Sequence, residues 1–470
     1  FFGNVASGNG GGLSNEYGGT LTLNNCILWG NEANGNGNEI YHDGIATTLN
    51  NCCYKNESGD IDGTLTLGSG NITTDPLFVD AAGGNVTLFG NSPCVNTGSN
   101  SYNATSTDIR GKDRIQNTTI DMGAYEWTSG TDMLSHILYV IDNASGSNNG
   151  LNWTDAFTSL QSAMDAALSG NQIWVAAGTY KPSKETDGTT DEPRKFTFQM
   201  KDGVEIYGGF AGTETSLSQR DYLTNETILS GDLSGNDEFQ IAVFNVYQNN
   251  SGDDNCYSVL LNIGNSLTST AILDGFTISG GNANAGFPGN AGTGMVTDGT
   301  PVLRNLIFTH NYSNSGGALF IMNAAGGNLS NLSFIENSGG EGGGGLYLMD
   351  LSSSAVLSNA LFLNNRGVKG GGIDNSNSTL TVNNATFSRN EVWGNGGAVE
   401  NRDNGTLTLN NCIIWNNIAY ENGNEIYHSG NSTTLNNCCY KNETGDIFGT
   451  LTLGSGNITS DPLFVNAGSG

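Results

Sequence analysis

Apolar and polar residues alternate in short runs along most of this chain. In TLTL, at Thr20–Leu23 and again at Thr406–Leu409, a period of two sends the leucines to one side and the threonines to the other. That is the pattern of a strand with one buried face. The runs are brief, bounded by Gly and Asn, and they return at a steady interval. The Asn before each apolar group falls at Asn305, Asn331, Asn359, Asn384, Asn411 and Asn437, with spacings of 26, 28, 25, 27 and 26. Two further marks keep step. One is GGAL at Gly316, GGGL at Gly343, GGGI at Gly370 and GGAV at Gly396. The other is F-x-x-N, from Phe308 to Asn311, Phe334 to Asn337, Phe362 to Asn365, Phe387 to Asn390 and Phe1 to Asn4.

A period near 26 made of short strands predicts an all-β solenoid, a parallel β-helix in which each period is one coil. One coil cannot bury its own apolar face, whereas stacked coils can, at about 4.8 Å per coil. Leu21 and Leu23 are expected inside. The paired glycines let the corners take positive φ. The recurring Asn positions are expected to form amide ladders, each side chain bonding to the next coil.

A longer repeat encloses the shorter one. GTLTLNNC occurs at Gly19–Cys26 and 386 positions on at Gly405–Cys412, and 1–79 aligns with 387–465 without a gap. Between the copies the rhythm breaks at DPLFVD…NSPCVNTG…DIRGKDRIQNTTIDMGAYEW. There Arg110, Lys112 and Arg114 sit beside Asp108 and Asp113 and read as a salt-bridged end cap. TSGTDMLSH reads as a linker. SLQSAMDAAL then carries Leu160, Ala163, Met164, Ala167 and Leu168 on one helical face, with Thr158 as N-cap and Gly170 as terminator. This helix is expected to plug the open end of a new β-helix, with Ile173–Ala176 as its first strand and coils from about Val204. The division is 1–127, the C-terminal part of one β-helix domain with its end cap; 128–136, a linker; and 137–470, an N-terminal cap and most of the next domain. The chain begins and ends inside repeat copies, so it is expected to be a segment of a longer polypeptide.

The GGA-hydrophobic and F-x-x-N repeats resemble those of polymorphic outer membrane proteins and related right-handed parallel β-helix surface proteins. The DPLFVD…DMGAYEW ending and the LYVIDNASGSNNGLNWTDAF…GVEIYGGFAGTETSLSQRD opening resemble tandem β-helix domains of giant secreted proteins of Bacteroidota. The resemblance implies a right-handed helix and a cell-surface adhesin, exported by the type IX secretion route.

Charge narrows the partners. The formal net charge is -29, with 16 Lys and Arg against 45 Asp and Glu, which argues against nucleic acid and against docking on anionic lipid. It suits solubility or divalent cations. No apolar run reaches the length of a membrane span. Eight cysteines fit an oxidising, extracellular setting.

Catalysis enters because this fold also hosts pectate lyases and polygalacturonases. A lyase needs a basic residue beside calcium-holding carboxylates, and a glycosidase two carboxylates across a groove. Basic residues on the coils are few: Arg304, Arg366, Lys369, Arg389 and Arg402, with Asp374 the one acid near Arg366 and Lys369. Asp253 and Asp254 fall in a loop insertion. The expectation is that the chain is not an enzyme. For metal, SGDLSGNDE gathers Asp232, Asn236, Asp237 and Glu238 in one turn-rich stretch, either a calcium site or a solvated acidic loop. No other cofactor is expected. Outward Thr pairs such as Thr379/Thr381 are interrupted at Ser330 and Val356, which disfavours an ice-binding face. Cys26 and Cys52 fall one coil apart, as do Cys412 and Cys438, within disulfide reach or as a reduced ladder. Cys53 is placed to reach Cys94 in the cap, and Cys256 has no evident partner. His42 and His428 occupy equivalent positions without metal-ligand neighbours. The sequons at Asn71 and Asn117 follow from composition.

The expected function is a structural or adhesive segment of a very long extracellular surface protein. It would pair with copies of itself in a filament or bundle, or meet surface glycans and other cells. The alternative is a carbohydrate-binding or carbohydrate-cleaving module.

Overall fold

Each long strand pairs in parallel with the strand one coil later, and apolar residues stack in columns. Leu303 faces Leu329, Leu329 faces Leu357, then Val382, Leu409 and Leu435 follow in register. This is a computed structural model, and it describes residues 1–81, 85–90, 92–116, 118–127, 137–239, 251–284, 294–324 and 326–465. The linker expected over 128–136 and the sequon Asn117 lie outside the described residues. The chain divides into two compact units, Phe1–His136 and Ile137–Gly470. It is an all-β parallel β-helix with little helix.

In the second unit the coils build three sheets of 15, 8 and 6 strands, and every described strand pair is parallel. The long strands of the largest sheet, such as Thr379–Ser388, alternate buried and solvent-facing residues about an Asn bend. Inside, Phe308, Phe334, Phe362 and Phe387 stack face to face at centroid distances of 5.1, 4.8 and 4.6 Å. All four are fully buried. Parallel strands in register bring like side chains together, so the core is a set of columns. At the GGGI corner, Gly370 has φ +47 and a Cβ there would lie 2.1 Å from the Ile373 carbonyl oxygen, so no other residue fits.

Two expectations about the start of this unit are corrected. The first strand is Ile137–Val140, ahead of the helix, and it pairs in parallel with Gln172–Ala176. The helix spans Leu160–Ala166 with Ser159, not Thr158, as N-cap: the Ser159 side chain accepts from the Ser162 N–H. Ser159 has the extended backbone an N-cap needs. Leu160, Ala163, Met164 and Ala167 pack against Leu138, Val140, Ile173 and Val175.

The first unit repeats the scheme on a smaller scale. Thr20–Asn24 pairs with Ala46–Asn50, which pairs with Thr66–Leu67 through a shorter coil. Leu435 with Leu453 repeats that short closing coil in the second unit. Beyond it, Phe78–Asp80 and Asn85–Leu88 form an antiparallel pair. In the cap, Asp108 accepts the Arg110, Lys112 and Glu126 backbone N–H groups and pairs with the Arg110 guanidinium. Arg114 reaches Glu126 at 3.5 Å. Burial pushes Glu126 up to about 7.

Candidate functional site

Two asparagine ladders climb the second unit, one facing solvent and one sealed inside. The outer ladder begins at Asp274, whose Oδ1 accepts from Asn305 Nδ2 at 2.7 Å. Asn331 donates to Asn305, Asn359 to Asn331, Asn384 to Asn359 and Asn411 to Asn384, at 2.9 to 3.2 Å. Each of these Asn residues has φ between 54 and 57, and Asn437 continues the series at 52. Asn tolerates this left-handed bend better than other non-glycine residues, so one residue type supplies both the corner and the rung. The Asn437 backbone N–H donates to Ser455 O in the short closing coil.

The inner ladder uses the Asn of F-x-x-N. Asn311, Asn337, Asn365, Asn390 and Asn417 are buried, and each of the first four donates through Nδ2 to the Oδ1 of the next at 2.8 to 3.1 Å. Each Nδ2 also donates to a backbone carbonyl of the coil behind, as Asn390 does to Phe362 O at 3.0 Å. Amides that give and receive in one column leave no rung of the ladder unpaired. The ladder ends on Glu425, which burial pushes up to about 7. In the first unit Asn4, Asn31 and Glu39 repeat this ending.

A groove of about 730 Å³ runs along the outer ladder. Its floor carries Asn305, Asn331, Asn359 and Asn384 beside Ile307, Ser333 and Leu361. Tyr222, Leu223 and Glu226 line its wall. Amides, an aromatic ring and a carboxylate along an open channel can hydrogen-bond and stack on an extended polar polymer.

On the eight-stranded sheet, an outward row in register reads Phe320, Tyr347, Asp374, Glu400 and Tyr427. Arg402 grips Asp374 with two N–H groups at 2.9 and 3.1 Å, and donates to the Tyr347 hydroxyl at 3.0 Å. Glu400 is 3% exposed and its Oε2 has no partner. Burial first, then the charge of Asp374, pushes Glu400 up to about 8. A neutral carboxyl beside an arginine-bound carboxylate is a pairing used for proton transfer. Both are closed off from solvent. Nothing in the repeat pattern singles out Glu400. The difference between the two copies does: the matching positions in the first unit are Ser14 and Glu16, where the second has Glu400 and Arg402. Arg366 bonds Glu391, not Asp374.

The expected calcium residues are spread over separate tasks. Asp232 caps its own loop, accepting the Gly235, Asn236 and Asp237 N–H groups. Asp237 turns to Asn255, whose Nδ2 donates to it at 2.9 Å, and burial pushes Asp237 up to about 7. Asn236 faces Ser251 and Asp254. Glu238 is exposed, and its N–H donates to Ser251 Oγ. Among the described residues no group of three or more His, Cys, Asp or Glu is arranged to hold a metal ion.

The cysteines meet across coils. Cys26 neighbours Cys52, Cys412 neighbours Cys438, and Cys53 neighbours Cys94, all as free thiols whose hydrogen bonds run to main-chain carbonyls, as from Cys52 to Leu23 O and from Cys53 to Thr74 O. The neighbouring Cys52 thiol lowers Cys26, and the neighbouring Cys412 thiol lowers Cys438. Cys256 is buried, and burial pushes its thiol up to about 12. His428 Nδ1 lies 3.1 Å from Thr433 Oγ1, and His42 Nδ1 3.0 Å from Thr47 Oγ1.

No protein-family model and no curated protein matches this chain. Among solved structures it is similar to the crystal structure of pectate lyase Pel9A, at 15% identity and a TM-score of 0.32, covering 69% of this chain and 78% of that one. The expectation that the chain is not an enzyme is corrected by this comparison: the similar solved protein is a lyase, and the exclusion of catalysis is withdrawn. None of the helices among the described residues is long and apolar enough to cross a membrane.

Proposed function

We propose that this chain is a structural and adhesive segment of a very long, repetitive extracellular surface protein. In this reading its tandem β-helix units give length. Its outward polar faces meet surface glycans, other cells or copies of itself. The observation that carries the reading is the solvent-facing asparagine ladder from Asn305 to Asn411, which repeats one hydrogen-bonding group at every coil. A periodic face supports binding by many weak, identical contacts, whose strengths combine once the first is made. The resemblance to giant surface proteins of Bacteroidota and the type IX route belong to the same proposal.

Cryo-electron microscopy of the native protein, on and off the cell, tests it. Beaded rods or multi-chain fibres repeating at the domain length are expected. Short separate particles would sink it. A second reading, a carbohydrate-binding or carbohydrate-cleaving module, draws on the groove walled by Tyr222 and Glu226. Incubation with a panel of polysaccharides, scored for retention and for chain shortening, separates the two.

A further inference from the structure

Around the loop Asp232–Glu238 and the short turn Ser251–Asp254, four buried side-chain oxygens have no donor. Asp237 Oδ1, Asp254 Oδ2, Asn255 Oδ1 and Asn282 Oδ1 are buried and make no hydrogen bond. They belong to one junction. Asn255 Nδ2 donates to Asp237 Oδ2 at 2.9 Å, and Asn282 Nδ2 donates at 2.6 Å to the carbonyl of Gly252, in the turn that carries Asp254. Asn255 is 0% exposed and Asn282 4%. Both amides therefore have their nitrogens satisfied at the junction and their oxygens left over.

Asn236 borders the same junction. With its nitrogen turned inward it donates to Ser251 O at 3.2 Å and Asp254 Oδ1 at 3.3 Å. A buried acceptor without a donor costs about 1–3 kcal/mol, and four occur at this one junction. The neighbouring basic groups bond main-chain carbonyls and Asn284, not these four oxygens. Lys181 Nζ donates to Leu233 O at 3.3 Å, and Arg194 donates to the Asn255 and Asn282 carbonyls and to Asn284 Oδ1.

We propose that this junction binds one calcium ion through the Asp237 and Asp254 carboxylates and the Asn255 and Asn282 side-chain carbonyls. Hard oxygen donors of mixed charge, drawn from two loops and a strand, suit calcium's large and flexible coordination sphere. Asp232 frames the loop instead of ligating. With two carboxylates and two amides, the site has no three-carboxylate signature. Its role is to clasp a loop insertion onto the second unit, whatever the outer face binds.

The test uses the full 470-residue chain, stripped with chelator and titrated with calcium chloride while the unfolding temperature is followed. A saturable rise of several degrees is expected, because a ligand that binds only the folded state stabilises it. Asp237→Asn and Asp254→Asn each weaken the response at least tenfold, while Asp43→Asn in the first unit leaves it unchanged. Should a variant fail to fold, hydrogen exchange on the unaltered chain decides, with calcium expected to slow the amides of 251–256. The absence of any calcium-dependent shift or protection, or a full response in both carboxylate variants, overturns the site. An equal response to magnesium overturns the assignment to calcium.

Discussion

Asn417 passes the end of the inner ladder to Glu425, its Nδ2 donating to the carboxylate at 2.6 Å across only eight residues of sequence. Glu425 follows the turn that closes the same coil, so the column terminates on a group that accepts without needing to donate. The charge is the cost, and burial answers it by raising the carboxyl to about 7.

The two ladders respond differently to mutation. Asn390 gives three hydrogen bonds and receives two from Asn365, all buried. Asn390→Ala is expected to cost about 3 kcal/mol or more, since several partners lose their mates together. Asn359, on the exposed ladder, has φ 57. Asn359→Ala is expected to cost about 1 kcal/mol, chiefly as backbone strain, whereas Asn359→Gly stays within about 0.5 kcal/mol. Urea midpoints of the full chain decide. Equal losses for the alanine and glycine variants would show that the side-chain rung, not the bend, sets the energy.

Glu400 makes stability fall as pH rises. Its folded value is about 8 against an ordinary 4.5, so between these values the folded chain holds a proton that the unfolded chain has released. Stabilisation is full below pH 4.5 and lost on the way to pH 8. Glu126, Asp237 and Glu425 lean the same way, while His310 and His428, lowered by burial, oppose them as pH rises towards 6.5. Glu400→Gln isolates one contribution. It is expected to match the natural chain at about pH 5 and exceed it at about pH 9, by an amount on the order of 5 kcal/mol at most. Parallel curves at the two pH values would remove Glu400 as the cause.

The core column at Phe362 distinguishes packing volume from ring stacking. Phe362 lies between Phe334 and Phe387 at 4.8 and 4.6 Å, yet two coils later the same column holds Ile414, facing Phe387. The column therefore accepts an aliphatic side chain. Phe362→Leu is expected to cost about 1–2 kcal/mol and Phe362→Ala about 3–5. Thermal unfolding of the two variants checks the ratio. A leucine loss as large as the alanine loss would mean that ring stacking outweighs packing volume in this column.

What the sequence disclosed follows a physical line. Period-two alternation inside a period near 26 identifies inward residues, because parallel strands in register repeat their neighbours, and so Leu409 and Phe387 were legible. The outer Asn positions were legible for the same reason. The inner ladder's Asn was visible as F-x-x-N, but its ending on Glu425 was not. Asn255 and Asn282 stayed hidden, since they reach Asp237 and Gly252 across loops whose spacing follows no period. Glu400 was hidden by chemistry: an acidic residue on an outward strand position reads as solvated until its neighbours Asp374 and Arg402 are placed.

Cysteine chemistry separates the two units. Cys26 with Cys52 and Cys412 with Cys438 meet one coil apart, where stacked backbones lie about 4.8 Å from one another, inside the range a disulfide spans. In each pair the neighbouring thiol lowers one partner, Cys26 in the first unit and Cys438 in the second, which favours its thiolate, the form that attacks. Cys53 has Cys94 beside it, whereas burial raises the Cys439 thiol and its S–H donates to Ser460 O. Mild oxidation followed by peptide mapping without reductant is expected to give 26–52, 412–438 and 53–94 linkages, and to leave Cys256 and Cys439 alkylatable after unfolding. The unfolding temperature should rise, most of all through 53–94, which closes the longest loop. Recovery of every cysteine as free thiol after oxidation would instead establish these columns as a reduced, packed ladder, with sulfur acting as a small apolar filler.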